Sequence, residues 1–278
     1  MKLSIITICL NNLEELKRTV ASVLQQTCKE FEYIIIDGGS TDGCKEYIEG
    51  LAGVSQWISE PDKGIYNAMN KGIRIAGGEY VLFLNSGDEL YNDGVLAEAL
   101  PLLKGEDFYV GHSMLNRNGK STLRKTPQQM SVRFLLEDSI MHQATFTRSA
   151  LLKERPYNEQ HKIVSDWEYF LQEWVLHNRS YVPLDIVIST FYLGGISSNE
   201  KSARLNDAER KEVIDALLPP RVQAEICNYD AYYLFDEKLE KKIQKALSLP
   251  PIQRDIKLLR NAFKFMWKDI WKACRKSS

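Results

Sequence analysis

Four short apolar runs alternate with helical patterns in the first 88 residues, and that alternation leaves the chain few folds to choose from. Residues 3–9 (Leu-Ser-Ile-Ile-Thr-Ile-Cys) are almost continuously apolar, as a strand buried on both faces must be. Leu13, Leu16, Val20, Val23 and Leu24 then share one face of a helix over residues 13–26. The cycle continues with a strand at 33–36, a helical stretch at 44–49, a strand at 54–59, a helix at 65–76 and a strand at 80–84. Such alternation predicts a mainly parallel sheet flanked by helices, an α/β fold. Each apolar run also stops in a polar cluster: Asn11-Asn12, the segment 37–42, the segment 60–63, and the segment 85–88. Parallel strands end on one edge of their sheet, so the four clusters are expected to meet there and form a ligand cleft.

Beyond residue 88 the pattern loosens. Residues 107–111 and 121–124 read as strands, 131–137 as a short helix, 141–146 as a loop entering a strand, and 186–192 as a strand. Ser165-Asp166-Trp167-Glu168 opens a helix reaching about Leu176, with Ser165 as N-cap and Glu168 completing a capping box. Trp167 and Trp174, seven residues apart on that helix, are expected in the core. After Glu200 the chain turns helical and charged, with Pro219-Pro220 and Pro250-Pro251 as punctuation. The division expected is a domain over 1–200 and a helical extension over 201–278.

Composition excludes several functions. Lys plus Arg number 36 against 37 Asp plus Glu, a net charge of -1 that gives no reason to expect a nucleic-acid partner. Five scattered cysteines (Cys9, Cys28, Cys44, Cys227, Cys274) contain no Cys-x-x-Cys pair, so neither a disulfide framework nor a zinc site is indicated. Reduced thiols in the cytoplasm are the expectation. The N-terminus is apolar too briefly for a signal peptide, and no stretch approaches the roughly 18 apolar residues of a membrane span. No Gly-x-Gly-x-x-Gly is present, which disfavours a dinucleotide-dependent oxidoreductase.

Two clusters carry chemistry by residue type. The segment Asp37-Gly38-Gly39-Ser40-Thr41-Asp42-Gly43 offers carboxylates that suit the base or ribose hydroxyls of a nucleoside. It serves equally as a polar turn capping the next helix. Asp88, closing Asn85-Ser86-Gly87-Asp88, suits a divalent cation, because hard cations take oxygen ligands and a diphosphate supplies others; it also fits a helix cap.

Taken together the segments closely resemble the family 2 glycosyltransferases with the GT-A fold, above all the bacterial branch that builds surface polysaccharides. The likeness lies in Leu-Ser-Ile-Ile-Thr-Ile-Cys-Leu-Asn-Asn, Ile-Ile-Ile-Asp-Gly-Gly-Ser-Thr-Asp-Gly, the segment 59–72 and Phe-Leu-Asn-Ser-Gly-Asp, in one order and spacing. It is dense to about residue 115 and patchier to about 200. The resemblance implies a glycosyltransferase using a nucleotide-sugar donor, with Asp37 at the nucleoside, Asp62 beside the nucleotide, Lys63 near the phosphates and Asn85 on the donor side. Gly38 stands where many relatives have a second Asp. Asp88 matches the last carboxylate of an Asp-x-Asp-type metal motif whose earlier acidic positions are Asn85 and Gly87 here. A divalent cation, Mn2+ or Mg2+, held by Asp88 and the diphosphate, is the cofactor implied.

The same resemblance makes Asp166 the general base. An acceptor hydroxyl has a very high pKa and must lose its proton as it attacks the anomeric carbon. One base and one metal imply single displacement with inversion, unlike the paired carboxylates of glycosidases. His142, followed by Gln143, matches a segment on the acceptor side and is expected to donate a hydrogen bond to acceptor or phosphate. His112, His161 and His177 read as structural. Gly194-Gly195-Ile196-Ser197 resembles a loop that closes over donor. The Gln-x-x-Arg-Trp motif of processive synthases is absent, which favours transfer of a single sugar to a saccharide acceptor. A non-catalytic nucleotide-sugar-binding or assembly subunit is the alternative.

The near-zero charge conceals an asymmetry. Residues 252–278 hold eight basic residues against two acidic ones, a charge of +6, which leaves -7 on the rest. As a helix this tail lines up Lys257, Lys264, Lys268, Lys272 and Arg275 opposite Ile256, Phe263, Met266, Trp267 and Ile270. A basic amphipathic helix of that kind suits an anionic membrane surface, placing the protein at the cytoplasmic membrane face beside a lipid-linked acceptor.

Overall fold

The computed structural model describes residues 1–193 and 200–225. The glycine loop 194–197 and the basic tail 252–278 lie outside the described residues. The chain divides into two compact units, Met1–Leu217 and Leu218–Ser278. In the second, the described residues open with a helical turn in which the Pro219 carbonyl accepts the N–H groups of Val222 and Gln223.

In chain order the elements are β1 (Leu3–Cys9), α1 (Leu13–Leu24), β2 (Phe31–Asp37), α2 (Cys44–Glu49), β3 (Gln56–Ser59), α3 (Ile65–Ile75) and β4 (Tyr80–Phe83). There follow β5 (Glu89–Leu90), α4 (Val95–Ala99), β6 (Phe108–Arg117), β7 (Lys120–Arg124), α5 (Val132–Glu137), β8 (Thr145–Arg148), α6 (Ser149–Glu154), α7 (Ser165–Leu171), β9 (Tyr181–Tyr192) and α8 (Glu200–Leu217). One mixed sheet runs β3-β2-β1-β4-β8-β6-β9-β5, with β7 paired to β6. The bulk of its ladder is parallel: β3, β2, β1 and β4 in succession, and β6 with β9.

β1 lies centrally and is buried at every position, which is why seven near-continuous apolar residues form it. Its alternate side chains feed two cores. Leu3 and Ile5 join α1, α2 and α4 on one face; Ile6 and Ile8 join α3, α7 and α8 on the other. The polar exceptions are paired: Thr7 Oγ1 donates to the Leu84 carbonyl, and Ser4 donates to Glu32. The chain leaves β1 for β2 and β3, then returns to β4 on β1's other side. That reversal opens a crevice at the carboxyl ends of β1 and β4.

The capping box expected at Ser165 is not formed. The Glu168 N–H bonds the Val164 carbonyl at 2.8 Å, so Val164 is the N-cap and Ser165 is already inside α7. Glu168 turns instead to His161 Nδ1 at 2.7 Å. The helix also ends sooner than its spacing predicts, at Leu171, and continues as a single π turn through residues 172–176. Trp167 is in the core, with its indole N–H on the Leu135 carbonyl, and Trp174 packs at the margin of the same cluster.

Candidate active site

The register of the parallel strands sets Cys9, Asp37 and Ser59 side by side at the sheet edge. Asp37 is fully buried; its carboxylate accepts from the Ser40 amide, the Ser40 hydroxyl and the Ser59 hydroxyl. It thereby shapes the turn that follows β2. Asn11 and Asp42 brace that turn to the end of β1: Asn11 Oδ1 accepts the Thr41 N–H, and Asp42 accepts the N–H groups of Leu13 and Cys44, capping α1 and α2 together.

Asp62 reaches into this turn from the end of β3. A Cβ on Gly38 would stand 2.4 Å from Asp62 Oδ2, so the Asp62 carboxylate fills the space a side chain at 38 would take. Asp62 Oδ1 also accepts the Gly64 N–H, and Asn67 accepts the Lys63 N–H, forming the turn that starts α3 with the Lys63 side chain exposed at the rim. Lys71, buried, pins the turn from below through the Pro61 carbonyl and Glu60.

After β4 the chain stays bonded to β1, with the Ser86 N–H on the Ile8 carbonyl, and delivers Asn85 and Asp88 to the crevice. Asp88 is 6% exposed, and among the described residues its carboxylate accepts no hydrogen bond. Burial pushes its pKa up to about 7, against the pull of the His142 imidazole. Asn85 Oδ1 and Ser86 Oγ in the same loop are likewise buried without partners. Unsatisfied hard oxygens around an under-solvated carboxylate suit Mg2+ or Mn2+. No cluster of three or more His, Cys, Asp or Glu exists among the described residues, so the other ligands would have to come from substrate.

Asp166 stands in the first turn of α7. Its Oδ1 accepts the Tyr66 hydroxyl at 2.8 Å and its Oδ2 faces His142 Nδ1 at 3.2 Å. His142 Nε2 lies 3.2 Å from the Asn85 amide. Asn85, His142, Asp166 and Tyr66 therefore form one continuous chain of hydrogen bonds from the loop after β4 to α3. With Nδ1 against a carboxylate, that nitrogen carries the proton; Nε2 then accepts from the Asn85 amide nitrogen. If the ring is charged, rotation of the amide presents the unpartnered Oδ1 instead.

The charges bias this chain. Burial opposes ionisation of Asp166, but hydrogen bonds from His142 and Tyr66 outweigh it and hold the carboxyl below its usual range. Burial likewise opposes a charged His142, and Asp166 with Asp88 overcomes it, raising the imidazole. Asp166 and His142 keep 22% and 26% of their side-chain surface open, so the carboxylate is deep yet reachable.

The seven residues expected from sequence lie at or after the ends of β2, β3 and β4, before β8, or at the start of α7, with Lys63 exposed. Asn85, His142 and Asp166 are joined directly; Asp37 and Asp62 form a separate group. Tyr66 was not anticipated. It shares the buried face of α3 with Met69 and Ile73, where a tyrosine reads as core, and nothing local marks its hydroxyl as bonded to Asp166, 100 residues away.

Residues 4–167 match the family described as Glycosyl transferase family 2. The chain belongs to that family. An uncharacterized glycosyltransferase of Mycobacterium tuberculosis (strain H37Rv) is 36% identical over 216 residues, covering 74% of this chain and 81% of the relative. A PGL/p-HBAD biosynthesis glycosyltransferase of Mycobacterium bovis (strain BCG) is 32% identical over 175 residues, 60% of this chain and 67% of the relative. Among solved structures, S. aureus TarS 1-349 in complex with UDP-GlcNAc superposes with a TM-score of 0.60 at 23% identity, covering 81% of this chain and 70% of that one. Mannosyltransferase PcManGT from Pyrobaculum calidifontis, in complex with GDP-Man and Mn2+, gives 0.53 at 13% identity, covering 96% and 87%. The family 2 chain is thus a glycosyltransferase, and its sheet and helices form a GT-A fold. Among the described residues of this glycosyltransferase, no helix is long and apolar enough to cross a membrane.

Proposed function

We propose that this glycosyltransferase moves a single sugar from a nucleotide-sugar donor to a hydroxyl of a saccharide acceptor, with inversion at the anomeric carbon and with a divalent cation. The observation that carries the reading is the unbroken chain Asn85–His142–Asp166–Tyr66, which couples the metal loop to an ionised carboxylate open to the crevice. The donor assignment draws support from the nucleotide-sugar complexes of TarS and PcManGT.

Each residue then has a task. The Asp37 turn and Asp62 receive the nucleoside, with Asp62 in the place beside Gly38. Lys63, at the rim, faces the phosphates. Asp88, with Asn85 Oδ1 and Ser86 Oγ, would hold Mn2+ or Mg2+, whose charge stabilises the leaving diphosphate. Asp166, kept ionised, takes the proton of the acceptor hydroxyl as it attacks. His142 orients Asp166 through Nδ1. Tyr66 fixes the second carboxylate oxygen, leaving one direction of approach. The unit Met1–Leu217 supplies this chemistry; the basic tail 252–278 holds the protein on an anionic membrane surface at the cytoplasmic face, where a lipid-linked saccharide would be met.

The test is a thermal-shift screen of UDP-, GDP- and dTDP-sugars with and without Mn2+, followed by turnover of the stabilising donor with membrane extract as acceptor. Asp166→Asn is expected to keep donor stabilisation while turnover falls by roughly 100- to 10,000-fold, the worth of a general base. Near-normal turnover in Asp166→Asn removes the base assignment. Donor binding without turnover by the wild-type protein on any extract would favour a non-catalytic binding subunit.

A further inference from the structure

α8 lies beyond the stretch that matches the family, yet it reaches the segment that presents the base. Glu209 is 7% exposed and sits one turn before the buried Val213 on the inward face of α8. A carboxylate at such a position is unfavourable unless it is hydrogen bonded. Its two oxygens accept the backbone N–H groups of Lys162 (2.8 Å) and Ile163 (3.0 Å). The Ile163 carbonyl in turn accepts the Tyr66 hydroxyl at 2.7 Å, the same hydroxyl that bonds Asp166. The adjacent Arg210 lays its guanidinium over the Trp167 ring at 4.5 Å and donates to the Asp138 carbonyl.

The segment is therefore held on both sides of Asp166: its backbone before it by Glu209, the Trp167 ring after it by Arg210. Docking of α8 is served separately, by Val213, Ile214 and Leu217 against the core. Two backbone N–H groups in an irregular approach to a helix need an acceptor, and here the Glu209 side chain supplies it. A paired carboxylate meets both at once and fixes their direction. Because α7 follows within two residues, this direction sets where the first turn of α7, and with it the Asp166 carboxylate, points.

We propose that Glu209 is a positioning residue for transfer, holding residues 162–163 so that Asp166 faces the acceptor hydroxyl. The proposal rests on the reading of Asp166 as the general base. It also makes α8 part of the catalytic apparatus, although the family match ends at residue 167.

Glu209→Ala, Glu209→Gln and Asp166→Asn are compared in the full chain. Hydrogen exchange is followed across residues 160–167. Release of nucleoside diphosphate is measured with Mn2+ and membrane extract, using UDP-GlcNAc or the nucleotide sugar that outranks it in the stabilisation screen. Glu209→Ala is expected to speed exchange at Lys162 and Ile163 and to lower kcat roughly 10- to 100-fold, since a displacement near 1 Å costs that much. Donor KM is expected to stay within about twofold, the mark of an interaction made only in the transition state. Glu209→Gln, which retains one accepting oxygen, falls between. On the Asp166→Asn background Glu209→Ala should cost nothing further, because it acts through the base. Unchanged kcat in Glu209→Ala while Asp166→Asn is inactive overturns this proposal alone; an active Asp166→Asn overturns the reading beneath it. Equal damage in Glu209→Gln and Glu209→Ala, with donor KM raised and the melting transition broadened, assigns Glu209 a merely structural role and also overturns it.

Discussion

Burial outweighs the His142 imidazole at Asp88 and favours its protonated form in the metal-free protein, and this has a consequence for stability. Its pKa is about 7 when folded and ordinary when unfolded, so between about pH 4 and 7 the folded state holds the extra proton. Stability of the metal-free protein is therefore expected to fall as pH rises through that window. Melting curves in EDTA should show the fall, and Asp88→Asn should flatten it. Mn2+ should raise the melting temperature more at pH 8 than at pH 6, because the proton no longer competes for the carboxylate. A second prediction concerns Gly38. Gly38→Ala must displace Asp62, and donor affinity is expected to drop roughly 10- to 100-fold, the worth of one charge-assisted hydrogen bond, with folding intact. Titration calorimetry with the stabilising donor measures it. Asp37, Asp62, Asn85 and Asp88 are legible in the sequence because each interrupts an apolar run where a parallel strand ends. Tyr66 and Glu209 are not, since both occupy apolar stripes of their helices and their partners lie 100 and 47 residues away.

At the scale of elements, β1, β2 and β4 are read correctly because a buried strand has no polar face to confuse it. The second half is harder. β6 runs on to Arg117 and β9 starts at Tyr181, well outside their apolar centres, because pairing with each other extends them where hydrophobicity does not. The start of α7 is misread by one residue for a related reason: the approach through residues 162–164 is set by Glu209 and Tyr66, not by a local cap. Packing between elements offers its own test. A Cβ on Gly72 would stand 2.5 Å from Ile6 Cγ2, so α3 lies on β1 with no room for a methyl group. Gly72→Ala is expected to destabilise the fold by about 1–3 kcal/mol through overpacking, read from urea denaturation. Some of that cost should reach the site, since α3 carries Tyr66.

For the whole molecule, the charge difference between body and tail suggests a protein divided in task. Deleting residues 252–278, which carry +6, is expected to abolish co-sedimentation with vesicles containing anionic lipid while leaving turnover on a soluble acceptor unchanged. Raised salt should mimic the deletion, and sedimentation unaffected by either would assign the tail to protein contacts instead. The order of the parts along the chain matters in a different way. Asp37, Asp62 and Asp88 are all made by residue 88, the proposed base Asp166 comes later, and Glu209, which bonds the segment before it, later still. A ribosome makes them in that sequence. On the reading proposed above, the nascent chain acquires its donor-side residues long before its base, and transfer stays disarmed until the polypeptide has turned back on itself.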